Sequence, residues 1–206
     1  MMRNRSGRRL GQAGMRRGSR REGGGPPAVW VLGLAGLLLM TGLVQAQAFT
    51  LRGPGLGDQL SLDQVYSGFG CQGRNLSPEL DWGQAPAGTK SFAVTVYDPD
   101  APGQGWWHWL VWNIPASASG LKTGAGGQGA NLLPPGSVQG QNDFGARGYG
   151  GACPPQGDQP HRYVFTVYAL DRERLDLDPQ TTPALAGAAI KRHAIARASL
   201  VSRYQR

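Results

Sequence analysis

Three segments of this chain are patterned for extended structure and little else. Ser91–Tyr97 (SFAVTVY) alternates Phe92, Val94 and Val96 with Ala93, Thr95 and Tyr97. His161–Leu170 (HRYVFTVYAL) repeats the pattern, and His161, Tyr163, Phe165 and Val167 fall on one side of a strand. Trp107–Ile114 (WHWLVWNI) is apolar throughout except for His108 and Asn113 and also reads as a strand. Side chains in a strand repeat every two residues, and β-branched and aromatic residues fit that pleated surface. Turns rich in Gly, Pro, Asn and Asp separate the segments. The expected fold is mainly β: an antiparallel β-sandwich with a helical segment near the C-terminus. Pro183 suits the first turn of that helix. Ala184–Arg203 continues it, with Leu185, Ile190, Ile195 and Leu200 at spacings of five and Lys191, Arg192, Arg197 and Arg203 as a solvated face. Gly120–Gly140 reads as one long loop.

The first fifty residues do not belong to this pattern. Residues 1–27 hold eight arginines and one glutamate, and Ala28–Val44 is an apolar run. Ala46-Gln47-Ala48 then fits a signal-peptidase site, with cleavage after Ala48 or, second, after Ala46. Residues 1–48 are therefore expected to be a signal peptide with an Arg-rich n-region, Met15 being an alternative start, and 49–206 one folded domain. The competing reading keeps residues 28–44 as a membrane anchor, although 17 residues is at the short limit for a span. The leader also carries most of the formal charge of +8, leaving 13 Lys/Arg against 12 Asp/Glu in the rest. A nearly neutral domain gives no support for nucleic-acid binding. An exported domain meets an oxidising compartment, so Cys71 and Cys153 are expected to pair rather than remain as buried thiols.

The polar residues inside the strand pattern carry the functional signal. Asp98-Pro99-Asp100 at the end of the first strand can be turn chemistry alone. His108, between Trp107 and Trp109, needs a hydrogen-bond partner if buried, and a carboxylate is a good one. His161 shares a strand face with Tyr163. Together with backbone N–H groups from the Gly/Pro run Gly148–Pro155, these residues describe a donor-rich cup suited to an oxyanion such as phosphate, a phosphate ester or a carboxylate. Asp98 would orient a histidine or accept from a ligand ammonium. Zinc ligand types are present, but no His-x-x-x-His or Cys-x-x-Cys spacing is, so no metal or other cofactor is expected. There is no Gly-x-Ser-x-Gly and no serine with a visible base partner.

Several longer motifs occur in order: Cys71-Gln72-Gly73-Arg74-Asn75-Leu76-Ser77-Pro78-Glu79-Leu80 with Trp82, Gly88–Phe92, Asp98–Pro102, Trp106–Trp109, Asn113-Ile114-Pro115, Gln141–Gly145, and the Gly/Pro loop with His161-Arg162-Tyr163. On these the chain resembles the phosphatidylethanolamine-binding protein family, in its bacterial Raf-kinase-inhibitor-like branch of the YbhB/YbcL type. The resemblance covers nearly all of 49–206 and implies a β-sandwich with a small anion pocket. By motif position it assigns Asp98, His108 and His161 to the pocket, with Trp106, Gly151 and Tyr163 lining it and Asp100 beside it. The implied protein is an exported, non-enzymatic binder of small anionic or phosphorylated ligands, such as a phospholipid headgroup. The alternative is a regulator of a protein partner, a protease or envelope component, through the pocket rim in Gly120–Gly140. A phosphate-ester hydrolase or isomerase ranks last, because no nucleophile is evident. The family's Gly-x-Gly-Pro-Pro run is Gly151-Ala152-Cys153-Pro154-Pro155 here, so kinase inhibition is not carried over.

Overall fold

β-Branched and aromatic residues at alternate positions set the centre of the molecule, which a computed structural model describes for residues 48–129 and 131–206. Residues 1–47 of the expected leader, with the second of its two cleavage sites, after Ala46, lie outside the described residues. The chain runs β1 (Thr50–Arg52), β2 (Ser67–Gly68), β3 (Cys71–Gln72), β4 (Leu80–Gly83), β5 (Ser91–Asp98), β6 (Trp106–Pro115), β7 (Gly120–Leu121), β8 (Val138–Gln139), β9 (His161–Leu170), α1 (Pro183–Arg192) and β10 (Ala194–Tyr204). The five-stranded sheet has the order β10-β9-β5-β6-β8, and a three-stranded sheet has the order β1-β4-β7. The strand pairings within these two sheets are antiparallel. The sandwich core between the sheets holds Leu80, Trp82, Phe92, Val94, Val96, Trp109, Val111, Phe165 and Val167. The opposite face of the large sheet buries Ala93, Trp107, Leu110 and Trp112 against Ala186 and Ile190 of α1. Coverage on both faces explains why β6 reads as an unbroken apolar run.

The C-terminus corrects the sequence reading. Helix α1 stops at Arg192, capped by His193, and residues 194–204 form the longest strand instead of continuing the helix to Arg203. Burial in β10 alternates: Ala196, Ala198, Leu200 and Ser202 face inward, while Ile195, Arg197, Ser199 and Val201 are exposed. The spacing of five noted above therefore mixes inward and outward residues. The whole of β9 is available for pairing, from Tyr204↔His161 to Ala194↔Leu170, and this outweighs the helix propensity of the alanines. The segment 120–140 also contributes two short strands, β7 and β8, at its ends.

Two register shifts interrupt the β5–β6 ladder. Val96 pairs with Trp109 and Tyr97 with Trp107, which leaves His108 as an extra residue on β6. Such a bulge re-aims the side chains around it. Trp107 turns toward α1, where its ring packs against Gly187 so closely that an added Cβ would lie 2.5 Å from it. His108 turns to the side occupied by Tyr163, with ring centroids 5.1 Å apart. The second shift falls at Asn113, whose φ is +57°. Its side chain takes both backbone groups of Leu175, accepting from N–H at 2.7 Å and donating to C=O at 3.3 Å.

Candidate functional site

Antiparallel pairing brings the end of β5 next to the starts of β6 and β9, so Asp98, Trp106, His108, His161 and Tyr163 meet at one end of the large sheet. They line a cleft of about 300 Å³. Phe69, Pro102 and Pro155 form its exposed edge, and Phe144, Cys153 and Pro154 complete the wall. Behind that wall Tyr66 stacks between Phe69 and Phe144, 4.2 Å from the latter, and Trp106 meets Phe144 edge-on at 5.4 Å. Phe69, 74% exposed, sits in the turn of the β2–β3 hairpin. The Cys71–Cys153 disulfide fixes that hairpin to the cleft wall, as the cysteine reading expects.

The polar groups divide into those already satisfied and those left open. Asp98 is 2% exposed, and its carboxylate is fully engaged. One oxygen accepts from His161 Nδ1–H at 2.7 Å, and the other from the N–H groups of Asp100 (2.8 Å) and Ala101 (3.2 Å). Asp98 therefore holds His161 and the Asp-Pro-Asp turn in place, the first of the two roles expected of it. His161 Nε2 faces the half-exposed Asp158 at 3.4 Å. His108 differs from the sequence reading: its partner is not a carboxylate but the Gly150 carbonyl, 2.7 Å from Nδ1. Burial is the main cause that pushes its pKa down to about 4, against the opposing pull of Gly150, Asp98 and Gly151. Burial, reinforced by Asp98, likewise raises the Tyr163 phenol far above its ordinary value, so it stays protonated.

Among the described residues five buried side-chain polar atoms lack a hydrogen-bond partner, and three of them belong to this cleft: Trp106 Nε1, His108 Nε2 and Tyr163 Oη. Buried polar groups in native proteins are almost always paired, so three open ones in one cleft make it the candidate site. No three His, Cys, Asp or Glu side chains among the described residues converge on a metal-sized site.

Comparison with known proteins decides the family. Residues 55–205 match the model of the phosphatidylethanolamine-binding protein family. The chain belongs to that family. It is 50% identical to Escherichia coli YbcL over 172 residues, covering 82% of this chain and 94% of the relative. It is 49% identical to YbhB of the same organism over 149 residues, covering 72% and 93%. A Mycobacterium tuberculosis protein, LppC, described by its name as a lipoprotein, is 34% identical over 160 residues, covering 78% of this chain and 74% of the relative. The crystal structure of E. coli YbcL superposes with a TM-score of 0.76 at 49% identity, covering 78% of this chain and 99% of that one.

Gly151, which the family pattern places in the pocket lining, and Asp100, which it places beside the pocket, do not line the cleft. Asp100 turns away from it and takes the Arg162 guanidinium through both oxygens, at 2.6 and 2.9 Å, together with the Arg162 N–H at 2.8 Å. Arg162 holds the Asp100 carboxyl down at about 2. Gly151 is a backbone position: an added Cβ would lie 2.3 Å from the Gln64 carbonyl oxygen, and its N–H donates to Asn75 Oδ1 at 2.7 Å. The donor-rich loop is corrected as well. The N–H groups of Gly148, Tyr149, Gly150, Gly151 and Ala152 are spent inside the protein, and only that of Cys153, on the cleft wall near Tyr163, has no such bond among the described residues. Among the described residues, segment 120–140 contributes none to the cleft, so the rim lies elsewhere, at Phe69, Pro102 and Pro155. Sequence reasoning missed Phe69, Asp143 and Phe144 as lining residues. Phe144 was inside a quoted motif, but Phe69 lies in a two-residue turn with no periodic signal.

Proposed function

We propose that this protein is an exported, non-enzymatic binder of small anionic ligands, phosphate and phosphate monoesters among them, through the cleft formed by Trp106, His108, His161 and Tyr163. The observation that carries the reading is the trio of buried, unpartnered atoms on these walls: an indole N–H, a phenol O–H and an imidazole nitrogen. Filling a polar site with matching polar groups recovers the desolvation cost of leaving them open, about 1–3 kcal/mol each. Catalysis lacks support, because the cleft holds no activated nucleophile: Asp98 is committed to His161, and Tyr163 is held protonated. Export is supported by the Arg-rich, apolar leader, by the disulfide, and by the lipoprotein name of the mycobacterial relative. A contact between the rim and a protein partner is the second reading, and Phe69, exposed at the mouth, favours it.

Calorimetric titration with phosphate and phosphoethanolamine tests the first reading. Trp106→Phe and His108→Ala should each weaken binding by about tenfold or more, the loss expected for one hydrogen bond to a charged ligand. Unchanged affinity in both variants would place the anion elsewhere. Under the second reading, Phe69→Ser would abolish a partner complex while leaving phosphate affinity intact.

A further inference from the structure

The open atoms are not all donors. The Gly150 carbonyl can only accept, so the 2.7 Å contact fixes the His108 proton on Nδ1. Nε2 of the neutral ring then offers a lone pair to the cleft. Trp106 Nε1 can only donate, and the protonated Tyr163 phenol donates most readily. The cleft therefore combines two donors with one acceptor. Resting on the anion-binding reading above, we propose that His108 makes the cleft selective for oxyanions that carry their own acidic proton, phosphate monoesters in the singly protonated form above all, over sulfate and phosphodiesters.

A phosphate monoester monoanion satisfies the whole set. Its P–OH donates to His108 Nε2, and its P–O⁻ oxygens accept from Trp106 and Tyr163. A dianion, sulfate or a diester would set an oxygen lone pair against the Nε2 lone pair. Asp98 acts in the same direction, since its buried carboxylate penalises a second negative charge on the ligand. The ring is faced by Asp98 from β5, by His161 and Tyr163 from β9, and by the Gly150 and Gly151 backbone from the loop before β9, while Asp143 lines the same cleft and accepts from the Trp107 N–H. Asp98 and the carbonyls favour a charged ring, while His161 and burial oppose it, and burial is the largest effect. Supplying the proton from His108 at pH 7 is opposed by the burial that keeps its ring neutral. Supplying it from a phosphate monoester, whose second pKa is about 6, costs about tenfold. The ligand's proton is the one used.

The test is calorimetry of the protein with methyl phosphate, dimethyl phosphate and sulfate from pH 5.5 to 8, in buffers of different ionisation enthalpy. Methyl phosphate should weaken by about tenfold per pH unit above pH 6, with close to one proton taken up per ligand at pH 8. Sulfate and dimethyl phosphate should bind at least about tenfold more weakly at pH 7. In His108→Gln, whose amide presents either an N–H or an oxygen, sulfate should approach methyl phosphate and the pH slope should flatten. If that variant does not fold, the wild-type comparison decides alone. Equal binding of the three anions without proton uptake overturns the selectivity and leaves the anion cleft standing. Failure of all three to bind at any pH removes both.

Discussion

Tyr163 separates ligand binding from stability at a single atom. Its ring is part of the sandwich core, but its hydroxyl is buried without a partner. Removing an unsatisfied hydroxyl costs the fold little, whereas removing a donor to a bound anion costs about 1.5–3 kcal/mol of affinity. Tyr163→Phe is therefore expected to bind phosphate at least about tenfold more weakly while its urea midpoint stays level or rises. A matching loss of stability would show that the hydroxyl serves the fold. His108 makes a second residue-scale prediction. Its folded pKa, about 4, lies below the ordinary 6.5, so the unfolded chain binds the extra proton between those values. The stabilisation from keeping this ring neutral is present above pH 6.5 and is lost as pH falls toward 4, about 3 kcal/mol at most. Thermal melts of the ligand-free protein should fall through that window, and His108→Gln should flatten part of the fall. An identical pH profile in the variant would contradict the buried neutral ring.

At the scale of elements, the β2–β3 hairpin and the bulge in β6 build the cleft. The disulfide joins residues 82 apart in sequence and pins the hairpin that presents Phe69. In the chain-entropy view its loss destabilises by about 4–5 kcal/mol. The double variant Cys71→Ala/Cys153→Ala should show that drop in urea unfolding and faster proteolysis within residues 67–72, whereas the same unfolding curve as wild type would mean that local packing holds the hairpin without the bond. Gly151→Ala should be destabilised through its backbone clash with Gln64, in keeping with a structural role for Gly151. Strand existence was legible because period-two patterning survives in β5 and β9. The bulge was not, because an apolar run such as WHWLVWNI looks the same in either register. β10 shows the opposite failure: its alternation was present in the letters, but seven alanines in residues 184–198 and a proline start drew the reading toward a helix.

For the molecule as a whole, the sequence carried the sandwich, the disulfide and five cleft residues, because those depend on residue type and strand face. It did not carry the assignment of each polar atom. Asp98 and Asp100 are near neighbours of the same type, yet one is buried on His161 and the other lies outside on Arg162. The donor-rich loop was likewise a reasonable reading of its glycines, but the N–H groups of residues 148–152 are spent on Gly140, Gly126, His108, Asn75 and Gln64. Only three-dimensional pairing shows which groups remain open, and those open groups make the functional argument. The most direct test is an NMR titration of the protein with phosphate and phosphoethanolamine, following the ring signals of His108 and His161. The account predicts saturable shifts at both rings with one common dissociation constant. The absence of any shift at millimolar ligand would contradict an anion site in this cleft.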